Sequence, residues 1–136
     1  MPLNSYATRV RSAVLETLPR LAPYMEETQS GALRIRVPHP RISSGLVITT
    51  EDDEMTIGFR SWHTHGELLG GTSSDEHVLR ALEFVEQLLE GNVQVVISTV
   101  DGEFNDAWVT DDPLKEHRYV QPHEQLLIGT WSDLAA

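Results

Sequence analysis

A chain of 136 residues with 40% hydrophobic and 23% charged side chains fits one soluble globular domain, large enough to bury a core without covalent staples. No run nears the roughly 20 consecutive apolar residues of a membrane span, and the absence of cysteine excludes disulfides, thiolate metal sites and thiol nucleophiles. The 21 Asp and Glu against 10 Lys and Arg give a net charge of −11, which repels phosphate backbones and anionic lipid. No nucleic acid and no membrane is therefore expected as a partner. A basic protein is the expected one, with solubility alone as the other reading of the charge.

The amino-terminal stretch "MPLNSYATRVRSAVLETLPRLAPYM" sets arginines inside an amphipathic pattern and lacks an apolar run ending in a small-residue cleavage site. It reads as no signal peptide, and a cytoplasmic protein is expected. Ala7, Val10, Val14 and Leu18 recur at helical spacing from Ser5, and Pro19 closes that segment. "APYMEETQSG" reads as a connection. "ALRIRV" alternates Leu33, Ile35 and Val37 with Arg34 and Arg36, a half-buried strand ended by "PHP". "GLVITT" and "EMTIGFRSWHTH" read as strands of an antiparallel hairpin around the acidic turn "EDDE".

Val78, Leu82, Val85 and Leu89, widened by Ala81 and Leu88, mark the stripe of a second helix. Ser73 with Glu76 gives it a capping-box start, and Gly91 a stop. "VQVVISTV" and "EFNDAWVT" flank Asp101-Gly102, a strong hairpin signal. "DDPLKEHRYVQPHE" reads as a loop and "LLIGTW" as a short last edge strand. The expected fold is a single α+β domain over residues 1–136, a mainly antiparallel sheet of five or six strands with two helices.

"SWHTHGELLGGTSSDEH", residues 61 to 77, is the densest chemistry in the chain. On an unbroken strand from Met55, side chains two apart share a face, so Met55, Ile57, Phe59, Ser61, His63 and His65 point one way. Two neighbouring imidazoles supply two of the three protein ligands of a catalytic zinc. The spacing is similar to that of JAMM-type zinc metalloproteases, which carry His-x-His-Pro and then Ser-x-x-Asp. That resemblance implies His63, His65 and Glu76 (or the acid at 75) as metal ligands, activating a water for attack on an amide. Gly66 stands in place of the proline, Glu76 in place of the aspartate, and no upstream glutamate is marked as a base. His39, His117 and His123 lie in turn-like segments without ligand spacing.

A longer stretch, "EDDEMTIGFRSWHTHGE" followed by "SDEHVLRALEFVEQLLEGNVQVVIS" and the Asp-Gly hairpin, resembles small acidic bacterial immunity-type proteins in its order of elements. Such proteins neutralise polymorphic or secretion-system toxins. The resemblance implies a non-enzymatic protein with no cofactor, whose partner is a cognate and basic toxin domain. The candidate contacts are Glu51, Asp52, Asp53 and Glu54 at one hairpin tip, Asp101 and Glu103 at another, and Trp62, with Trp108 and Trp131 as further anchors. Each has a structural alternative: turn carboxylates solvated, tryptophans packed. A third class is an accessory subunit associating through a sheet edge, and the sequence leaves the oligomeric state open.

Overall fold

Asn4 opens the first helix by accepting a hydrogen bond from the Ala7 backbone N–H (2.8 Å), which satisfies one of the unpaired donors of the first turn. In the computed structural model, which describes residues 2–59 and 61–136 with the Glu67 side chain excepted, this helix is α1 (Ser5–Thr17). It buries Tyr6, Ala7, Val10 and Val14. Leu18 and Leu21 carry the same apolar face through the following 3₁₀ turn, Pro19–Tyr24.

Five antiparallel strands then pair in chain order: β1 (Met25–Glu27), β2 (Leu33–His39), β3 (Ile42–Thr49), β4 (Thr56–Phe59) and β5 (Trp62–His65). Alternation turns Leu33, Ile35, Val37, Leu46, Ile48, Ile57 and Phe59 into the core. The opposite face carries cross-strand rows. Arg34, Thr49, Thr56 and His65 form one, and Arg36, Val47, Gly58 and His63 the next.

The run 54–65 is two strands, not one. The chain reverses between Phe59 and Trp62, which pair directly, and Gly58 pairs with His63. Reversal inverts the face order, so His63 and His65 lie with Thr56 and Gly58 on the outer face instead of following Ile57 and Phe59 inward. Ser61 sits in the turn, where its hydroxyl donates to Asp106 at 2.6 Å. Arg60 lies outside the described residues. The turn carries no glycine, asparagine or proline, and Ser61 is its one turn-favouring residue, a weak mark.

Ser73 caps α2 (Ser74–Leu89) by accepting from the Glu76 N–H at 3.2 Å. The Glu76 carboxylate engages the N–H (3.1 Å) and hydroxyl of Thr72, one residue short of the expected reciprocal bond. Val78, Ala81, Leu82, Val85 and Leu88 are buried, and Leu89 is half-buried. A second sheet follows: β6 (Gln94–Val100), β7 (Glu103–Thr110) and β8 (Glu124–Gly129), all antiparallel, with β6 in the centre. Asp101 and Gly102 both adopt positive φ, as a tight two-residue hairpin turn requires. The connection from 111 to 123 contains a short helix, α3 (Pro113–Glu116), followed by a 3₁₀ turn, His117–Tyr119, and the last helix is α4 (Trp131–Ala135). The domain is α+β and its sheets are antiparallel. Among the described residues, eight strands in two sheets replace the expected five or six in one sheet, because β1 is only three residues long and the 54–65 run divides, and the short helices α3 and α4 join the two expected ones.

The seam between the sheets is aromatic. Trp131 is 8% exposed, stacks on Phe59 with 6.2 Å between ring centroids, and meets the His39 ring edge-on at 4.4 Å. Nε2 of His39 lies 3.0 Å from the Trp131 carbonyl, while Nδ1 accepts from the Arg41 N–H at 3.1 Å. A neutral ring protonated at Nε2 satisfies both contacts. Burial, with the nearby Arg41 charge, holds the His39 pKa below the ordinary 6.5 although the Trp131 carbonyl pulls it up. The folded value lies below the unfolded one, so the unfolded state takes up the proton first. The neutral ring's contribution is therefore complete above about pH 6.5 and drains away as pH falls through and below it. His39→Gln can still donate to the carbonyl but does not titrate. It should cost about 1 kcal/mol at pH 7.5, and its deficit relative to wild type should shrink between pH 6.5 and 5 in denaturant titrations. A constant deficit would remove His39 from the acid response.

A methyl group built on Gly58 would lie 2.3 Å from the Trp62 carbonyl oxygen and 2.9 Å from Cα of His63, both on the paired strand. Backbone cannot yield as a flexible side chain can. Gly58→Ala should therefore destabilise the domain by roughly 1–3 kcal/mol in urea unfolding.

Candidate functional site

The acidic turn is tied at both ends and free in the middle. Glu51 accepts from the Ser30 hydroxyl at 2.9 and 3.1 Å, anchoring the turn to the β1–β2 connection. Glu54 reaches the other way, with Oε1 3.2 Å from Nδ1 of His65. Between them Asp52 and Asp53 stand exposed with φ of 57° and 53°, a left-handed conformation that Asp tolerates better than most residues. Neither carboxylate enters a salt bridge among the described residues.

These carboxylates border a hollow of about 360 Å³ lined by Tyr6, Asp52, Asp53, Glu54, Met55 and Gly66, with Ser74 and His77 on the α2 side. Tyr6 is 7% exposed. Burial raises its pKa above 10, Arg9 and a hydrogen bond with the Met55 backbone oppose that, and the Asp53 and Glu54 charges add to it. A neutral phenol is thus the wall of the hollow. The neighbouring cation, Arg9, lies over the Tyr6 ring (5.5 Å to the centroid) and is paired with Asp75 at 2.9 Å. His77 turns its Nε2 to the Gly71 carbonyl, 3.2 Å away. The hollow is a socket with negative charge on one side and an aromatic wall on the other, suited to a guanidinium or ammonium group.

The imidazole pair adjoins this site on the outer face of the larger sheet. The rings of His63 and His65 lie 5.1 Å apart, edge to face, and the Thr56 hydroxyl is 3.0 Å from Nδ1 of His65. Glu54 accepts from this nitrogen when it carries the proton, which leaves Nε2 as the open position of the ring. The carboxylate of Glu76 is spent on Thr72, so the structure does not bring the third suggested zinc ligand to the pair. Among the described residues no group of three or more His, Asp or Glu side chains converges as metal ligands do.

The remaining candidates separate. Trp62 stacks on Phe59 (5.3 Å) and faces Phe84 (6.2 Å), half-buried against the core. Trp131 is interior. Trp108 is half-buried beside Val96, on the face of the second sheet away from the core. Asp101 and Glu103 occupy the β6–β7 tip, Asp101 lying 3.5 Å from Nδ1 of His123, and neither lines the hollow. Tyr6, Ser74 and His77 were not marked by the sequence as site residues; each sits in the first turn or so of a helix, where the helical pattern accounts for it.

No protein-family model matches this chain, and no curated protein and no solved structure is significantly similar to it.

The left-handed turn gives a direct check. Asp53→Asn keeps the tolerance for positive φ and should change stability by no more than about 0.5 kcal/mol. Asp53→Val places a β-branched side chain in that conformation and should cost about 1–3 kcal/mol in thermal or urea unfolding.

Proposed function

We propose that this chain is a non-enzymatic binding protein of the immunity type, which neutralises a bacterial toxin by covering a basic surface of the toxin domain. The observation that carries the reading is the pair Asp52 and Asp53. Two adjacent carboxylates are held in a left-handed backbone conformation, without a salt bridge among the described residues, at the mouth of a hollow walled by Tyr6 and His77. A lysine or arginine side chain from the partner enters between the carboxylates and the phenol ring, exchanging hydration for charge-assisted hydrogen bonds. The net charge of −11 steers such a partner in before contact. A toxin that handles nucleic acid or nucleotides offers the matching basic cleft, and a protein acting against it works in the cytoplasm.

The test is binding to the basic domain of the partner, sought first in the product of the adjacent upstream gene. Asp52→Lys with Asp53→Lys should weaken association by about 100-fold or more, while Asp101→Lys with Glu103→Lys should weaken it far less. Affinity should fall steeply as salt rises from about 50 to 500 mM. Binding indifferent to salt and to both substitutions at 52 and 53 would dismiss the hollow as the contact.

A further inference from the structure

The two sheets leave four edge strands, and three of them are guarded. β1 ends after three residues and carries Glu26 and Glu27. β5 has four residues, among them His63 and His65. β7 carries Glu103 and Asp106, and Ser61 bonds to the latter. Short length and charge are the usual means of blocking edge-to-edge pairing. β8 has neither. It runs for six residues with β6 on one side and, among the described residues, no strand on the other. From Gln125 to Ser132 the sequence, "QLLIGTWS", holds no charge and no proline. The longer runs without charge or proline, 42–50 and 91–100, belong to β3 and β6, which are paired on both sides.

We infer that β8 pairs antiparallel with β8 of a second copy, joining two three-stranded sheets into one continuous six-stranded sheet about a two-fold axis at Leu127. Leu127 is the exposed apolar side chain of the strand, at 41%. With the axis there, Leu127 meets its own copy, Leu126 meets Ile128, and Gln125 meets Gly129. Glu124 falls opposite Thr130, so no two acids face each other. Its carboxylate is in any case turned back into its own subunit, taking the Ser98 hydroxyl and the Gln121 N–H. Leu126 and Ile128 share the face of Val96 and Trp108, so pairing extends that apolar strip across both copies. Net charge opposes the meeting of two such chains. The uncharged edge is where they meet with least repulsion, and the backbone bonds supply the register. This surface is separate from the acidic hollow, and the inference stands or falls independently of partner binding.

Sedimentation of the untagged protein up to about 1 mM should show a monomer–dimer equilibrium. Leu127→Lys sets two ammonium groups on the axis while altering only an exposed side chain, and should sediment as a folded monomer at every concentration, with an unchanged circular dichroism spectrum. Because the chain has no cysteine, Leu127→Cys provides a single thiol. Directly opposed antiparallel residues lie about 4.5–5.5 Å apart, within disulfide reach. Under mild oxidation this variant should cross-link at least about tenfold faster than Leu79→Cys, which places a thiol at an exposed leucine of α2. A wild-type monomer throughout, a dimer that survives Leu127→Lys, or equal cross-linking of the two thiols would each overturn the pairing.

Discussion

The main chain at Gly58 runs so close to Trp62 and His63 that no side chain fits between the strands. That approach holds the tight reversal after Phe59, and the placement of the aromatic seam and of the imidazoles follows from it. Phe59 and Trp62, paired across the turn, present their rings to one side, where they stack with each other and with Trp131 and Phe84. His63 and His65 are consequently turned to the other side, away from the core. His65 is then in position for Glu54, which fastens the acidic turn to the edge of the sheet.

Around this reversal the acids are arranged by function of position more than by number. Several are occupied internally: Glu51 with Ser30, Glu76 with Thr72, Glu124 with Ser98, Glu116 with Thr110. These are hydrogen bonds to neutral groups, which hold loops and strand ends in place while leaving the charge uncompensated. The molecule thereby keeps a negative field even where its carboxylates are structurally engaged. Asp52 and Asp53 differ in that neither side chain enters a salt bridge among the described residues, while their backbone is held in the left-handed region.

Helices were the legible part of the sequence. Val10 and Val14, and Val78, Ala81, Leu82, Val85 and Leu88, follow a 3.6-residue period that only one surface can satisfy, and all are buried. The Asp101-Gly102 turn was legible for a similar reason, since few residues accept its torsions. The reversal after Phe59 was not. Its neighbours are aromatic or β-branched on both sides, so the alternation that marks a strand continues across the turn and hides it. The acidic turn stood out as a candidate, but Tyr6 and His77 complete the hollow from 46 and 24 residues away, counting from Asp52 to Tyr6 and from Asp53 to His77. That proximity is created by the packing of α1 and α2 against the sheet corner. The side of the sheet that Trp62 takes was not legible either, because aromatic identity alone does not settle it.

The left-handed turn also narrows the chemical alphabet available at its tip. A residue at 52 or 53 has to accept positive φ and present an anion. Glycine and asparagine meet the first demand and fail the second, while glutamate meets the second and adopts this torsion less readily. Aspartate alone answers both well. A lineage adapting to a new target could thus silence this tip in one step, through asparagine or glycine, but could not easily reverse its sign, because lysine and arginine lack the short side chain that eases the torsion. Adaptation would fall instead on the surrounding walls, with the tip kept or lost as a unit.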